Sequence, residues 1–233
     1  GGITQQIGAS LFPLDAVVDT CRALLGEVKV ELKIPGILFI DTPGHAAFAN
    51  MRRRGGSVAD LAILVIDVTK GVQEQTIESI RLLRSRKTPF VVALSKIDLI
   101  PGWRPVEGAP ISKSLANQSR AVIEELDKRI YLLAGELSQY GFQADLYTRI
   151  KSFAKTLAIV PVSAKSGEGI PDLLMLILGL AQVYLRDRLA LREDGCEGVV
   201  LEIVEEEGMG VTVNAVISNG VLRVGDRIAL LGK

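Results

Sequence analysis

The residues best suited to chemistry in this chain are Asp41, Thr42, Gly44 and His45, within the stretch LFIDTPGHAAF at residues 38–48. Three apolar residues, Leu38, Phe39 and Ile40, run into Asp41 and then turn through Pro43-Gly44. That is the pattern of a buried strand ending in a polar loop at its carboxyl edge, the edge at which open α/β sheets hold ligands. An Asp at the strand end can hold a hydrated Mg²⁺, and Gly44 lets its backbone N–H approach a terminal phosphate with no side chain in the way. His45 then sits beside that phosphate. Alone, the pentapeptide also admits a plainer reading, a strand, a Pro-Gly turn and a solvated His. What adds weight is a second and a third polar loop following apolar runs: Ser95-Lys96-Ile97-Asp98 and Ser163-Ala164-Lys165.

The intervening sequence has the periodicities needed to place these loops. Leu14, Val17, Val18, Cys21, Leu24 and Leu25 recur at helical spacing, with Gly26 as a stop. Residues 28–34 alternate with Lys29, Glu31 and Lys33 and meet Pro35-Gly36, which predicts a strand turning back into the LFID strand. The run LAILVID at residues 61–67 reads as a central parallel strand. Val72, Thr76, Ile80 and Leu83 then share a helical face, and residues 89–94 form another apolar strand. Val122, Leu126, Ile130, Leu133, Leu137 and Tyr140 predict a long amphipathic helix that Gly141 ends, with a second helix expected from Asp145 to Ala154. Residues 157–162 supply a last strand, and Pro171 suits the start of a closing, buried helix. Strand, helix and strand in this order predict a doubly wound, mostly parallel α/β sheet. Beyond Glu193, Val199, Leu201 and Ile203, and then Val211, Val213 and Ala215, alternate around an EEEGMG turn, the texture of antiparallel strands.

Composition narrows the function. Twenty-seven basic residues balance twenty-seven acidic ones, so any RNA contact must come from local patches, or from parts outside this chain, rather than a basic surface throughout. Arg52, Arg53 and Arg54 are one candidate, a solvated basic face being the equal alternative. Two cysteines, Cys21 and Cys196, lie far apart and in no metal-ligand spacing, as in a cytosolic protein with reduced thiols. No basic and apolar leader opens the chain, and the apolar stretch from Ile170 is too short to span a bilayer.

DTPGH resembles the second switch of the translational GTPases, where a His takes the place of the glutamine that small GTPases use to position the attacking water. Together with GGITQQIGA at the start, it resembles most closely the initiation factor two and initiation factor five B family, over nearly the whole chain. SKID resembles the N-K-x-D guanine motif, whose carboxylate accepts from guanine N1–H and the exocyclic amine; Ser95 stands where the family usually has Asn. Ser163-Ala164-Lys165 matches the family's S-A-K loop, with the Ala164 N–H directed to guanine O6. Thr4 matches the first-switch threonine that ligates Mg²⁺, and Ile3 an apolar residue screening the water. The resemblance implies that Asp41 holds the metal through water, Gly44 contacts the γ-phosphate, His45 positions the water, and Ser95, Lys96, Asp98, Ser163, Ala164 and Lys165 hold the base. Residues 101–156 and GWRPVEG resemble the archaeal and eukaryotic members, with Trp103 read as a packing residue. Arg186, Arg188 and Arg192 are expected to complement a helix dipole.

The expectation is therefore a GTP-hydrolysing initiation factor that binds GTP/GDP and Mg²⁺ in the cytoplasm. It would work with the ribosome, through ribosomal RNA and proteins, and with initiator tRNA through parts outside this chain, and with no membrane. Residues 1–192 are expected to form a GTP-binding domain and residues 193–233 the opening strands of a β-barrel. The sequence contains no G-x-x-x-x-G-K-[ST] phosphate loop; in the resembling family it lies upstream of GGIT, so residues 1–233 alone are expected to be inactive. Alternatives are a nucleotide-ordered binding module without hydrolysis, or an elongation or selenocysteine factor.

Overall fold

In the computed structural model of the chain, residues 8–25, 34–41, 59–184, 195–206 and 208–230 are described. All of the expected strand at residues 28–34 except Ile34 lies outside them, as do Arg52 to Arg54, Arg186 to Arg192, Ile3, Thr4, Gly44 and His45. Two compact units are present, one of Ala9–Phe39 and Ala59–Leu185, the other of Gly1–Gly8, Ile40–Val58 and Arg186–Lys233.

The larger unit is built on a parallel sheet of four strands: β3 (Ala62–Asp67), β4 (Phe90–Ser95), β5 (Ala144–Leu146) and β6 (Leu157–Pro161), in the order β3-β4-β6-β5. In-register pairing of Asp67 with Ser95 brings the ends of β3 and β4 to one edge. β4 is buried along nearly its whole length, because helices cover both faces of the sheet and leave no solvated side for an alternating pattern. On one face Leu64, Ile66, Val92, Leu94 and Ile159 pack, in one cluster with Ile111 of the short α3 (Ile111–Ala116), under α2 (Glu74–Arg86) and α4 (Arg120–Ser138). On the other, Val91, Ala93, Ala158 and Val160 meet Leu173 and Ile177 of α5 (Ile170–Tyr184). α1 (Leu14–Leu25) lies on α5 through Val17, Cys21 and Leu178.

Several expectations are met and others corrected. α4 buries Val122, Leu126, Ile130, Leu133 and Leu137, the face the spacing predicts. Gly141, at φ +85°, closes it while the Phe142 amide reaches back to the Leu137 carbonyl. The helix expected from Asp145 to Ala154 does not form. Ala144–Leu146 is instead a strand paired with β6, followed by a 3₁₀ turn at Tyr147–Arg149, because a free sheet edge offers backbone partners that a short helix would forgo. Pro171 is the second residue of α5, one place later than expected. That helix is amphipathic rather than wholly buried, with Val183 exposed. A strand that the sequence pattern does not announce, β1 (Gly8–Pro13), pairs with β2 (Gly36–Asp41). Phe12 and Phe39 meet edge to face, 5.4 Å apart. In the smaller unit β7 (Glu197–Glu206) and β8 (Gly210–Asn219) form an antiparallel hairpin. Residues 221–230 add no further strand to it among the described residues.

Candidate functional site

The carboxyl edge of the parallel sheet gathers three polar segments. At the end of β4 the chain leaves through Lys96, in the left-handed conformation at φ 63°, and enters a 3₁₀ turn at Ile97–Leu99 that carries Asp98. At the end of β6 comes Ser163-Ala164-Lys165. The two loops are bonded together: the Ser163 hydroxyl donates to Asp98 Oδ1 at 2.7 Å, and the Ile97 amide donates to the Val162 carbonyl at 3.3 Å. Ser163 is wholly buried, whereas Asp98 is half-buried. The amides of Lys165 and Ser166 both donate to the Ser163 oxygen at 3.3 Å, curling the loop around it. The Ala164 amide points to no partner among the described residues, and Ala164 and Lys165 are exposed. A fixed carboxylate beside an unused N–H is a donor–acceptor pair suited to a planar base that offers N–H groups next to a carbonyl.

Ser95 does not bridge the loops. Its hydroxyl donates to the Ile66 carbonyl of β3 at 3.1 Å, since a side chain this short reaches only the adjacent strand. Lys96 instead extends to Asp67 at the end of β3, its Nζ 2.8 Å from Oδ2. Thr69 completes this carboxylate's shell, its amide and hydroxyl donating to Oδ1 at 2.8 and 2.6 Å. Burial alone would raise the Asp67 carboxyl, but the hydrogen bonds from Lys96 and Thr69 and the Lys96 charge outweigh it and hold the group at about 2, below the ordinary 3.8. The sequence reading treated Asp67 only as the end of a strand. The signal available was an Asp at a strand terminus with a Thr two residues on, a local Asx motif.

Glu168 was missed altogether. It is wholly buried, and its carboxylate accepts from Trp103 Nε1 at 3.2 and 3.3 Å, from the Val106 amide at 3.0 Å and from the Ser166 hydroxyl. Trp103 therefore does more than pack: its ring lies in the core and its N–H fixes Glu168. Gly167 and Gly169 flank Glu168 at positive φ, and a Cβ on Gly169 would stand 2.0 Å from the Pro161 carbonyl oxygen. Only glycine permits so close a return of the loop to β6. In the first turn of α5, the buried Asp172 accepts from the Ile111 amide at 2.9 Å and from the Tyr147 hydroxyl. Burial and the Asp172 carboxylate push the Tyr147 hydroxyl up. They also raise the thiol of Cys21, which is buried beside Pro171.

Over residues 2–183 the chain matches the family described as the elongation factor Tu GTP binding domain. The chain belongs to this family. It is similar along its whole length to proteins named probable translation initiation factor IF-2, at 50% identity in Metallosphaera sedula and 53% in Archaeoglobus fulgidus. In each case it spans 39% of the relative's length. The structure of GDP-bound aIF5B from Aeropyrum pernix, 50% identical, superposes over 94% of this chain and 37% of that one with a TM-score of 0.86. The fold is also shared, at 20% identity and a TM-score of 0.55, with apo elongation factor SelB from Methanococcus maripaludis, over 90% of this chain and 40% of that one. Asp98, Ser163 and Ala164 thus come together at one sheet edge in a guanine-nucleotide-binding fold. Asp41 ends β2 as an exposed carboxylate, a hard oxygen donor of the kind Mg²⁺ takes through water. Among the described residues no three His, Cys, Asp or Glu side chains converge on a metal position. No helix among the described residues is long and apolar enough to cross a membrane.

Proposed function

We propose that this chain is the nucleotide-binding part of a GTP-hydrolysing translation initiation factor that acts in the cytoplasm on the ribosome. The observation that carries the reading is the bond from Ser163 to Asp98, which fixes the base-reading carboxylate between two loops. Asp98 accepts from guanine N1–H and its amine, the Ala164 N–H donates to O6, and the Lys96 stem covers the base. A purine without those donors leaves a half-buried carboxylate unpaired, a penalty larger than the worth of the bonds themselves. On the phosphate side the family resemblance assigns Gly44 to the γ-phosphate, His45 to the attacking water, Ile3 to shielding it, and Asp41 with Thr4 to Mg²⁺, which neutralises charge developing on the phosphate oxygens. Residues 1–192 then form the GTP-binding domain and residues 193–233 the first strands of a barrel. Contacts with ribosomal RNA, ribosomal proteins and initiator tRNA fall largely to other parts of the protein.

The decisive experiment is Asp98→Asn in the full-length protein. An amide can donate to the extra carbonyl of xanthine where a carboxylate can only accept, so preference should pass from GTP to XTP in competition binding. Unchanged selectivity would remove SKID as the base-reading loop. Phosphate release that ribosomes fail to stimulate in the wild type would leave a nucleotide-ordered binding module in place of an enzyme.

A further inference from the structure

Residues 103–111 and 163–172, some sixty positions apart, are stitched together by hydrogen bonds. Trp103 and the Val106 amide donate to the Glu168 carboxylate. The Gly108 amide donates to the Ser166 carbonyl at 2.7 Å, the Gly169 amide to the Ala109 carbonyl at 3.0 Å, and the Ile111 amide to Asp172. From Glu168 the chain of bonds continues to Asp98: the Glu168 backbone carbonyl accepts the Ser163 amide at 2.9 Å, and the Ser163 hydroxyl holds Asp98. The two carboxylate oxygens of Glu168 receive four donor contacts, filling the acceptor sites such a group offers. No cation lies within ion-pair distance of it among the described residues. An apolar side chain at this position would strand the Trp103 and Val106 N–H groups in the core, so the carboxylate is bound to that segment as firmly as to its own loop.

Building on the base-site reading above, we propose that Glu168 is a positioning residue that makes guanine recognition and the placement of residues 103–109 a single coupled equilibrium. Any adjustment of Ser163 and Asp98 when a base enters is passed through Glu168 to Trp103. Coupling of this kind is reciprocal: a partner that grips residues 103–109 changes nucleotide affinity by the factor with which nucleotide changes its own binding. The base site therefore has a second handle, residues 103–109, bonded to its loop through Glu168.

The chain's sole tryptophan, Trp103, makes the test direct. In the full-length protein, affinities for GDP and IDP, which lacks the exocyclic amine read by Asp98, are measured by displacement of a fluorescent GDP analogue. Trp103 emission is taken as the difference between wild type and Trp103→Phe. GDP should shift the Trp103 emission of the wild type. Glu168→Ala should lower the GDP-to-IDP affinity ratio by about tenfold, the scale of one buried polar group left unsatisfied, and abolish the shift. Glu168→Gln should restore most of the ratio, because its carbonyl can still accept from Trp103 and Val106 while its amide donates to Ser166. A merely structural role would weaken both nucleotides equally, so an unchanged ratio in a folded Glu168→Ala, or a silent Trp103 in wild-type protein that binds GDP, overturns the proposal. Should Glu168→Ala not fold, a Trp103→Phe protein with a several-fold lower ratio supports it and one with the wild-type ratio overturns it. Wild-type protein with no preference for GDP over IDP would instead sink the base-site reading on which the proposal rests.

Discussion

Asp67 ends β3 and Asp98 lies in the 3₁₀ turn after the neighbouring β4, yet their surroundings suit them to different work. Asp98 is half-buried with one oxygen taken by Ser163, which leaves accepting capacity for a ligand. Asp67 has both oxygens occupied, by Lys96 and by Thr69, so it orients rather than binds. Its carboxyl lies at about 2 in the folded state, below the unfolded value. The stability it confers is accordingly complete above about pH 4 and lost as pH falls towards 2. A carbon-detected NMR titration should place its midpoint near 2, and a midpoint close to 4 would mean that the Lys96 pair does not persist in solution. His45 carries the catalytic expectation. His45→Ala in the full-length protein should slow ribosome-dependent hydrolysis by at least ~10²-fold, the scale of one positioned group lost, with GTP binding nearly unchanged. Rapid-quench kinetics against filter binding separates the two effects.

At the scale of elements, α4 shows how a helical spacing becomes a stabilising face. Ile130 is 0% exposed and packs over β4 and β6 with Leu126, Leu133 and Leu137, while Leu132, two residues on, is 61% exposed. Ile130→Ala should cost about 2–5 kcal/mol through lost transfer energy and a cavity, whereas Leu132→Ala should stay within about 0.5 kcal/mol. Urea unfolding of both variants checks the contrast; equal effects would mean that the exposed side of α4 is covered in solution. β5 makes the opposite point. Residues 144–146 had no periodicity strong enough to announce a strand, and only the open edge of β6 makes one of them.

For the whole molecule, the four-stranded sheet carries the loops proposed to read the base at one edge, while the sequence holds no phosphate-cradling loop. Such a loop contributes several charge-assisted hydrogen bonds of roughly 1.5–3 kcal/mol each. Without three of them affinity should fall by at least ~10³-fold, since about 1.4 kcal/mol is tenfold. A polypeptide of residues 1–233 should therefore bind a fluorescent GTP analogue poorly and hydrolyse none. Micromolar or tighter binding by that polypeptide would show that the base-reading loops suffice.

Local pattern by itself determined the alternation of strands and helices, the buried face of α4, and the strand-end positions of Asp41, Asp98 and Ser163. Each follows from hydrophobic period and from turn residues within a few positions of one another. Whether β1 paired, whether residues 144–146 were strand or helix, and what Trp103 and Glu168 do were decided only by the tertiary structure. Those outcomes depend on partners beyond the reach of local pattern, β2 for β1 and, some sixty residues distant, Glu168 for Trp103, or on a sheet edge left open by strands elsewhere. A Glu between two glycines looks like a solvated turn in sequence. It becomes a buried acceptor only when the fold brings the Trp103 and Val106 N–H groups to it, because a buried carboxylate is tolerable where donors converge and nowhere else.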